Sequence, residues 1–130
     1  PSGECLNCGR CAGACPGGAL LGGRFDPEKC LSHLTQKKGD LPPEQAALVA
    51  AHSMAWGCDI CQEVCPYNAA PEQTKLSTFS NDLVENLTLE MVEGATNRSF
   101  KAQWGERAFA WRGPGVIRRN LALQGKQKKE

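Results

Sequence analysis

Short apolar runs separated by Gly and Pro make up the first half of this chain. After a cysteine-rich stretch, two apolar pieces flank a Gly-Gly pair, which predicts a small β-hairpin over residues 17–26. Asp26-Pro27 is typical of a helix start, so we expect a helix from there to about Lys37, with Cys30 in its first turn. Helix-favouring residues predict another helix from 44 to about 54.

The second half has longer polar stretches, and its apolar residues recur at helical spacing. Residues 71–80 are polar and predict a linker. Asn81-Asp82 can cap a helix, and further helical segments are predicted over 88–94, 99–104 and 114–125. We therefore expect several short helices packed against one another as hairpins.

At 130 residues, the chain is long enough for one small domain or two very small units. We expect a first unit over 1–70, a linker over 71–80 and a helical unit over 81–130. No apolar run approaches the ~18 residues of a membrane span, so we expect no membrane contact. The chain starts at Pro1 without an initiator Met, which indicates a piece of a longer protein or a processed one.

Eight cysteines carry the candidate chemistry. Residues 5–16 spell C-x2-C-x2-C-x3-C-P, the bacterial ferredoxin motif, in which three thiols bind one [4Fe–4S] cluster and the fourth binds a second cluster. Residues 58–66 spell C-x2-C-x3-C-P, the same motif with Ala55 in the place of its first cysteine. Cys30 is left over and can supply the missing thiol.

Two clusters need four thiolates each, so the eight cysteines complete both sets. The motifs and the hairpin together predict an α+β fold, a bacterial-ferredoxin-like domain with two [4Fe–4S] clusters followed by a small all-α segment. Reduced thiolates of this kind indicate a reducing, cytoplasmic setting. The predicted ligand sets are Cys5, Cys8, Cys11 and Cys65 for the first cluster, and Cys15, Cys30, Cys58 and Cys61 for the second.

Zinc and disulfides fit these cysteines less well than iron–sulfur clusters do. Zinc also takes four thiolates, mostly from C-x2-C pairs, but a triple C-x2-C-x2-C crowds three ligands at one corner of a metal. The C-x3-C-P endings have no role in a zinc ribbon. Cysteines spaced two apart on tight loops have poor disulfide geometry, and we expect no secretory leader.

Charge is distributed unevenly along the chain. Residues 1–97 carry 6 basic and 12 acidic side chains, whereas residues 98–130 carry 9 basic and 2 acidic ones. Two loaded clusters would bring the first part to roughly −10, because eight thiolates add more negative charge than two oxidised cores return. A basic segment beside a redox unit indicates a polyanionic partner, although a solvated helix face is the simpler alternative.

Three stretches carry a family resemblance. They are Cys15-Pro16-Gly17-Gly18-Ala19-Leu20, the block from Gly57 to Pro66, and Trp111-Arg112-Gly113 followed by Arg118-Arg119-Asn120-Leu121-Ala122-Leu123. With them the chain resembles, over nearly all its length, the C-terminal part of epoxyqueuosine reductases, which are cobalamin-dependent tRNA-modifying enzymes. The Cys-Gln-Glu-Val-Cys-Pro part of the second stretch is more specific than the first cysteine motif, which any ferredoxin could carry.

The resemblance implies an oxidoreductase role within a longer protein. In this family, two [4Fe–4S] clusters pass electrons to a cobalamin held by a preceding domain, and epoxyqueuosine at the wobble position of tRNA is reduced to queuosine. That domain and its catalytic acid lie outside this chain, so no catalytic residue is assigned. A HEAT-like C-terminal segment that binds tRNA, an external electron donor and a monomeric state are also expected. The candidate tRNA contacts are Arg112, Arg118, Arg119, Lys126 and Lys128.

Two other functions stay open at this level. A stand-alone or subunit ferredoxin-type electron carrier would leave the basic 33 residues of 98–130 unexplained. The relay of a cobalamin-dependent reductive dehalogenase has a similar ferredoxin part, but that family lacks this basic helical end. The residues that precede Pro1 would separate the three functions.

Overall fold

Short α-helices form the framework of the protein, in a computed structural model that describes the backbone of residues 4–127 and the side chains of residues 4–125. Single 3-10 turns connect several of them. The helices are α1 (Arg10–Ala14), α2 (Leu31–Gln36), α3 (Pro43–Ala50), α4 (Ile60–Glu63), α5 (Leu89–Val92), α6 (Asn97–Trp104) and α7 (Pro114–Gln127). In the described part of the chain, none of these helices has the length and apolar character needed to span a bilayer.

The predicted β-hairpin over residues 17–26 is wrong, and residues 4–127 contain no strand. Gly22 and Gly23 both have a φ of 71°, in the left-handed region that a regular strand excludes. The segment therefore forms a 3-10 turn. One hydrogen bond, from the Asp26 N–H to the Ala19 carbonyl at 2.8 Å, joins its ends, but the repeated hydrogen bonds of a β-hairpin are not formed. Over the described residues the fold is all-α rather than α+β.

The helix predicted from Asp26 to Lys37 starts where expected but breaks at Cys30. The Asp26 carboxylate accepts a hydrogen bond from the Glu28 N–H at 3.0 Å, and Pro27 opens a 3-10 turn. Cys30 then takes an extended conformation, with φ −81° and ψ 116°, and α2 begins at the next residue. The thiol consequently lies on a bend between two helical pieces.

The helix predicted after Asn81-Asp82 is also wrong. Asp82 has a φ of 54°, and residues 83–88 are irregular. The Asp82 carboxylate pairs with the Arg107 guanidinium instead of accepting hydrogen bonds from the N–H groups of a helix start. The other predicted helices are confirmed, with ends shifted by a few residues, by α3, α5, α6 and α7.

Two apolar cores hold the helices together, and α7 contributes to both. The first core lies between α2 and α3 and receives Leu123 of α7. The second lies between α5 and α6 and includes Ile117 of α7 together with Trp56 from the cysteine-rich half (residues 4–70). Burying each large apolar side chain is worth about 1.5–3 kcal/mol. Because α7 contributes to both cores, it connects the cysteine-rich half to the helical half (residues 81–127). The large apolar residues that are at most 2% exposed are Leu31, Leu34, Val49, Val92, Phe100 and Ile117.

Candidate iron–sulfur site

Four thiols from both cysteine motifs line one cavity of about 350 Å³. Three of them come from the loop around α1, and the fourth comes from the residue that precedes Pro66 at the end of the second motif. The Tyr67 ring forms part of the same wall. These four thiols, which are the set predicted for the first cluster, are Cys5, Cys8, Cys11 and Cys65.

Local backbone geometry shapes the loop that carries the first motif. Asn7 and Gly9 have φ values of 52° and 71°, and Gly9 is the residue before α1. The two left-handed residues turn the chain around the cavity, and the Asn7 N–H donates to Cys5 Sγ at 3.3 Å. The Tyr67 hydroxyl donates to the Glu4 carbonyl at 2.7 Å, so the loop is tied to the second motif.

The thiols predicted for the second cluster are all half-buried. Burial raises the pKa of Cys58, and a hydrogen bond from the Ile60 N–H partly opposes this shift. The negative charges of Cys30, Cys61 and Cys15 raise the pKa of Cys58 further. The second ligand set stays a prediction.

The donor set fits iron–sulfur clusters better than a single metal ion. All eight cysteines are free thiols. Among the residues that the structure describes, no three His, Cys, Asp or Glu side chains converge closely enough to hold one ion. A cubane cluster is larger than an ion, so its four thiolates surround a volume instead of meeting at a point. The four thiols around the cavity of about 350 Å³ have this character.

Two buried side chains of α7, neither of them a predicted site residue, bind the backbone beside the second cysteine motif. Asn120 Nδ2 donates to the carbonyls of Thr35 and Ala55, at 2.8 Å each. Gln124 Nε2 donates to the carbonyl of Met54 at 2.9 Å. Both side chains thus hold the segment that leads into the second cysteine motif. The signal in the sequence was an amide residue recurring four positions apart on an otherwise apolar helix face.

Arg118 and Arg119, both predicted to contact tRNA, turn their guanidinium groups inward. Arg119 donates at 2.6–2.9 Å to three carbonyls at and just beyond the end of α2, and at 2.8 and 3.1 Å to Asn120 Oδ1. These bonds use all its donors, and burial lowers the pKa of Arg119. Arg118 donates to the carbonyls of Val92 and Ala95 at 2.8–3.2 Å. Both side chains therefore cap helices of their own chain.

Arg112 is placed differently from the other two predicted arginines. Its guanidinium lies 3.8 Å from the centroid of the Trp111 ring, which is 62% exposed. The Trp111 ring in turn packs edge-on against Trp56, with the centroids 6.5 Å apart. Arg112 and Trp111 line an open cavity of about 410 Å³ that also reaches Cys30. This cavity combines an exposed aromatic face with a cation, and one thiol of the second predicted set, Cys30, lies in its wall.

His33 and Lys37 line the same cavity, but Glu28 engages both of them. Lys37 Nζ lies 2.6 Å and His33 Nε2 lies 3.5 Å from the Glu28 carboxylate. Hydrogen bonds from Lys37 and then from Gln45 lower the pKa of Glu28. Among the described side chains, Arg112 has no such carboxylate partner, so it is the cation of this cavity whose charge is uncompensated.

Residues 4–68 match the 4Fe-4S double cluster binding domain. The match covers half of the chain and all eight cysteines, and the chain belongs to this family of iron–sulfur proteins. The family assignment agrees with the two clusters predicted from the cysteine motifs and confirms that the cysteine-rich half is an iron–sulfur domain.

Over nearly its whole length, the chain is also similar to epoxyqueuosine reductases, which confirms the predicted resemblance. It is 40% identical over 122 residues to the protein of Listeria monocytogenes serovar 1/2a, covering 92% of this chain and 31% of the relative. It is 36% identical over 126 residues to the Bacillus subtilis (strain 168) protein, with the same shares covered.

Solved structures of epoxyqueuosine reductases share this fold. One with a tRNA-Tyr epoxyqueuosine-modified tRNA stem loop has a TM-score of 0.80 and 35% identity, covering 93% of this chain and 32% of that chain. The structure from Streptococcus thermophilus has a TM-score of 0.75 and 32% identity, and the match covers 97% of this chain and 33% of that chain. The chain thus spans about a third of the length of these relatives.

Proposed function

We propose that this chain holds two [4Fe–4S] clusters and relays electrons within an epoxyqueuosine reductase. The observation that carries the proposal is the cavity in which Cys65 of the second motif joins three thiols of the first. Each motif then lends a thiol to the other cluster, which keeps the two clusters at a short and fixed separation. The proposed ligand sets are Cys5, Cys8, Cys11 and Cys65, and Cys15, Cys30, Cys58 and Cys61.

Bound clusters would supply one-electron transfer, and the surrounding residues would set how readily an electron is accepted. The N–H groups of Asn7 and Ala19 donate to the sulfurs of Cys5 and Cys15, at 3.3 Å each, which offsets part of the thiolate charge. A net charge of roughly −10 on the loaded half opposes further reduction. The balance favours low potentials, as reduction of a cobalt centre requires.

The remaining parts of the proposal concern the whole protein. Its reaction would be the reduction of epoxyqueuosine in tRNA to queuosine, as the similarity to epoxyqueuosine reductases over 92% of the chain suggests. Cobalamin and the catalytic acid would belong to a domain that this chain does not include. We further propose an external electron donor, a monomeric state and a cytoplasmic location.

An iron and sulfide count on protein purified anaerobically at its full natural length tests the cluster assignment. We expect about eight irons and eight sulfides per chain, and about four of each after Cys30→Ser. A wild-type count of about four would overturn the ligand scheme. A protein that holds about eight irons but leaves epoxyqueuosine in tRNA unchanged would instead be an electron carrier of another kind.

We place the tRNA contact of this chain at Arg112 and Trp111. An exposed aromatic ring can stack on a base and an uncompensated guanidinium can contact a phosphate. Arg119 has no donor left for a phosphate because the chain itself uses all of them. The predictions for the Lys126 side chain and for Lys128 concern groups outside the described residues.

Binding of the tRNA anticodon stem loop to Arg112→Gln and Trp111→Ala proteins tests this placement. We expect Arg112→Gln to weaken binding and reduce the salt slope by about one, and Trp111→Ala to cost about 1–3 kcal/mol. Arg98→Gln is the matched control, since Arg98 is exposed on α6 and the change removes the same charge. Equal affinities and slopes for Arg112→Gln and Arg98→Gln would contradict the placement.

A further inference from the structure

One buried amide connects two of the three segments that carry thiols of the second set, namely those of Cys30 and of Cys58 and Cys61. Asn120 is 0% exposed, and its Nδ2 donates at 2.8 Å to both Thr35 and Ala55. Thr35 lies in α2, which begins directly after Cys30, and Ala55 lies three positions before Cys58. From this geometry we infer that Asn120 and Thr35 are positioning residues for the second [4Fe–4S] cluster, an inference that rests on the proposed function.

Thr35 forms a second connection to the same segment. It is 0% exposed, its hydroxyl accepts a hydrogen bond from the Gly57 N–H at 3.0 Å, and it donates to the Ser32 carbonyl at 3.1 Å. Gly57 has a φ of 72°, so the chain turns sharply at the residue that immediately precedes Cys58. The hydroxyl of Thr35 thereby holds the backbone turn that immediately precedes Cys58.

Burial makes these hydrogen bonds hard to replace. When a partner is removed from a buried carbonyl or N–H group, water cannot take its place and the group stays unsatisfied. Gln124 is also largely buried, and it holds the Met54 carbonyl at 2.9 Å in the same segment. In the described part of the chain, none of the hydrogen bonds of Asn120, Thr35 and Gln124 goes to a residue that lines the cavity of the first set. Their loss should therefore affect the second cluster selectively.

Two nearly isosteric variants remove these connections while keeping side-chain volume. Asn120→Asp still accepts hydrogen bonds from Arg119 but loses both donated bonds and turns a carboxylate oxygen toward two carbonyls. Thr35→Val removes only the hydroxyl, and Thr35→Ser restores it. Arg118→Leu is the control, because Arg118 also points inward from α7 but holds the carbonyls of Val92 and Ala95 in the helical half.

The test is an iron count and a potentiometric EPR titration of the full-length protein, with circular dichroism to verify folding. Signals are assigned with Cys30→Ser, which removes the second cluster, and Cys65→Ser, which removes the first.

We expect the iron count of the Asn120→Asp protein to fall from about eight toward about four, with loss of the second signal only. Thr35→Val should shift the midpoint potential of that signal, and Thr35→Ser should return it to the wild-type value. Arg118→Leu should keep about eight irons and both potentials.

The possible results distinguish this inference from the function on which it rests. If the wild-type protein holds about eight irons and Thr35→Val leaves both potentials unchanged, the inference is overturned while the cluster assignment stands. Equal loss of both signals in folded Asn120→Asp protein would overturn it too. A wild-type protein with far fewer irons would overturn the proposed function and this inference together. Should Asn120→Asp fail to fold, the comparison of Thr35→Val with Thr35→Ser still decides.

Discussion

At the scale of single residues, Gly17 shows how closely the first motif packs against the Cys30 segment. A Cβ atom at this position would overlap the carbonyl oxygen of Lys29 and lie 2.8 Å from a methyl carbon of Leu48. The backbone around Lys29 leads directly into Cys30, so no flexible side chain can absorb the overlap. The close packing of the cysteine-rich half therefore requires a residue without a side chain at position 17.

We expect Gly17→Ala to destabilise the protein by about 1–3 kcal/mol, because overpacking against backbone atoms forces the backbone to shift. Gly13→Ala is the matched control, since a Cβ there meets nothing within 4 Å and Gly13 lies in α1. That change should be neutral or slightly stabilising. Thermal unfolding of the loaded proteins measures both, and equal melting temperatures for the two variants would contradict this packing argument.

At the scale of elements, α7 serves as the common partner of the other helices. Its apolar side enters both cores, and its polar residues satisfy carbonyls at the ends of α2 and α5. Helices α2 and α5 have 6 and 4 residues, and such short helices are not stable in isolation. Their ends leave carbonyls without intrahelical partners, and the guanidinium groups of Arg119 and Arg118 satisfy them.

Arg119→Leu should destabilise the protein by about 1–3 kcal/mol, because the partly buried carbonyls of Leu34 and Lys37 lose their donor. Arg98→Leu, at an exposed position of α6, should change stability by less than about 0.5 kcal/mol. Chemical denaturation under anaerobic conditions measures the difference. Were the two variants equally stable, the capping role would be refuted. Weaker tRNA binding by an Arg119 variant would consequently report on folding as well as on contact.

At the scale of the whole molecule, thiols of both cysteine motifs line one cavity, and the proposed ligand sets make the two motifs interdependent. Helices α1 and α4 pack against each other, and thiols of both motifs lie around one shared volume. With 5 and 4 residues, these helices contribute little stability of their own. We therefore expect cluster binding to supply much of the folding free energy of this half, as in other small metal-dependent domains.

Replacing Cys65 by Ser tests the interdependence directly. We expect the first cluster to be lost, although its three other proposed ligands, which belong to the first motif, are still present. The second cluster should persist. The iron count would then fall from about eight to about four. EPR spectra identify which signal survives. Survival of the first signal with loss of the second would show that the ligand sets are wrongly assigned.

Removal of iron by a chelator under anaerobic conditions should unfold the cysteine-rich half before the helical half. The far-ultraviolet circular dichroism should fall only in part, because α6 and α7 keep the second core, built on Phe100 and Ile117. Hydrogen exchange should then show faster exchange in α1 and α4 than in α7. Uniform protection across the apo protein would contradict the expected dependence on clusters.

Local sequence by itself determined the cysteine pattern, most helix positions and the family. The number of residues between two cysteines is fixed by the covalent chain, and a helix cap such as Asp26 acts only on the next few residues. Both features can therefore be predicted without knowledge of the tertiary structure. The expected hairpin failed because Gly-Gly permits several turns and only the surrounding packing selects one. The direction of the Arg119 side chain and the hydrogen-bond partners of Asn120 were also decided by tertiary structure. Helical spacing shows that two residues share a face, but only the partner helix determines whether that face meets solvent or a buried carbonyl.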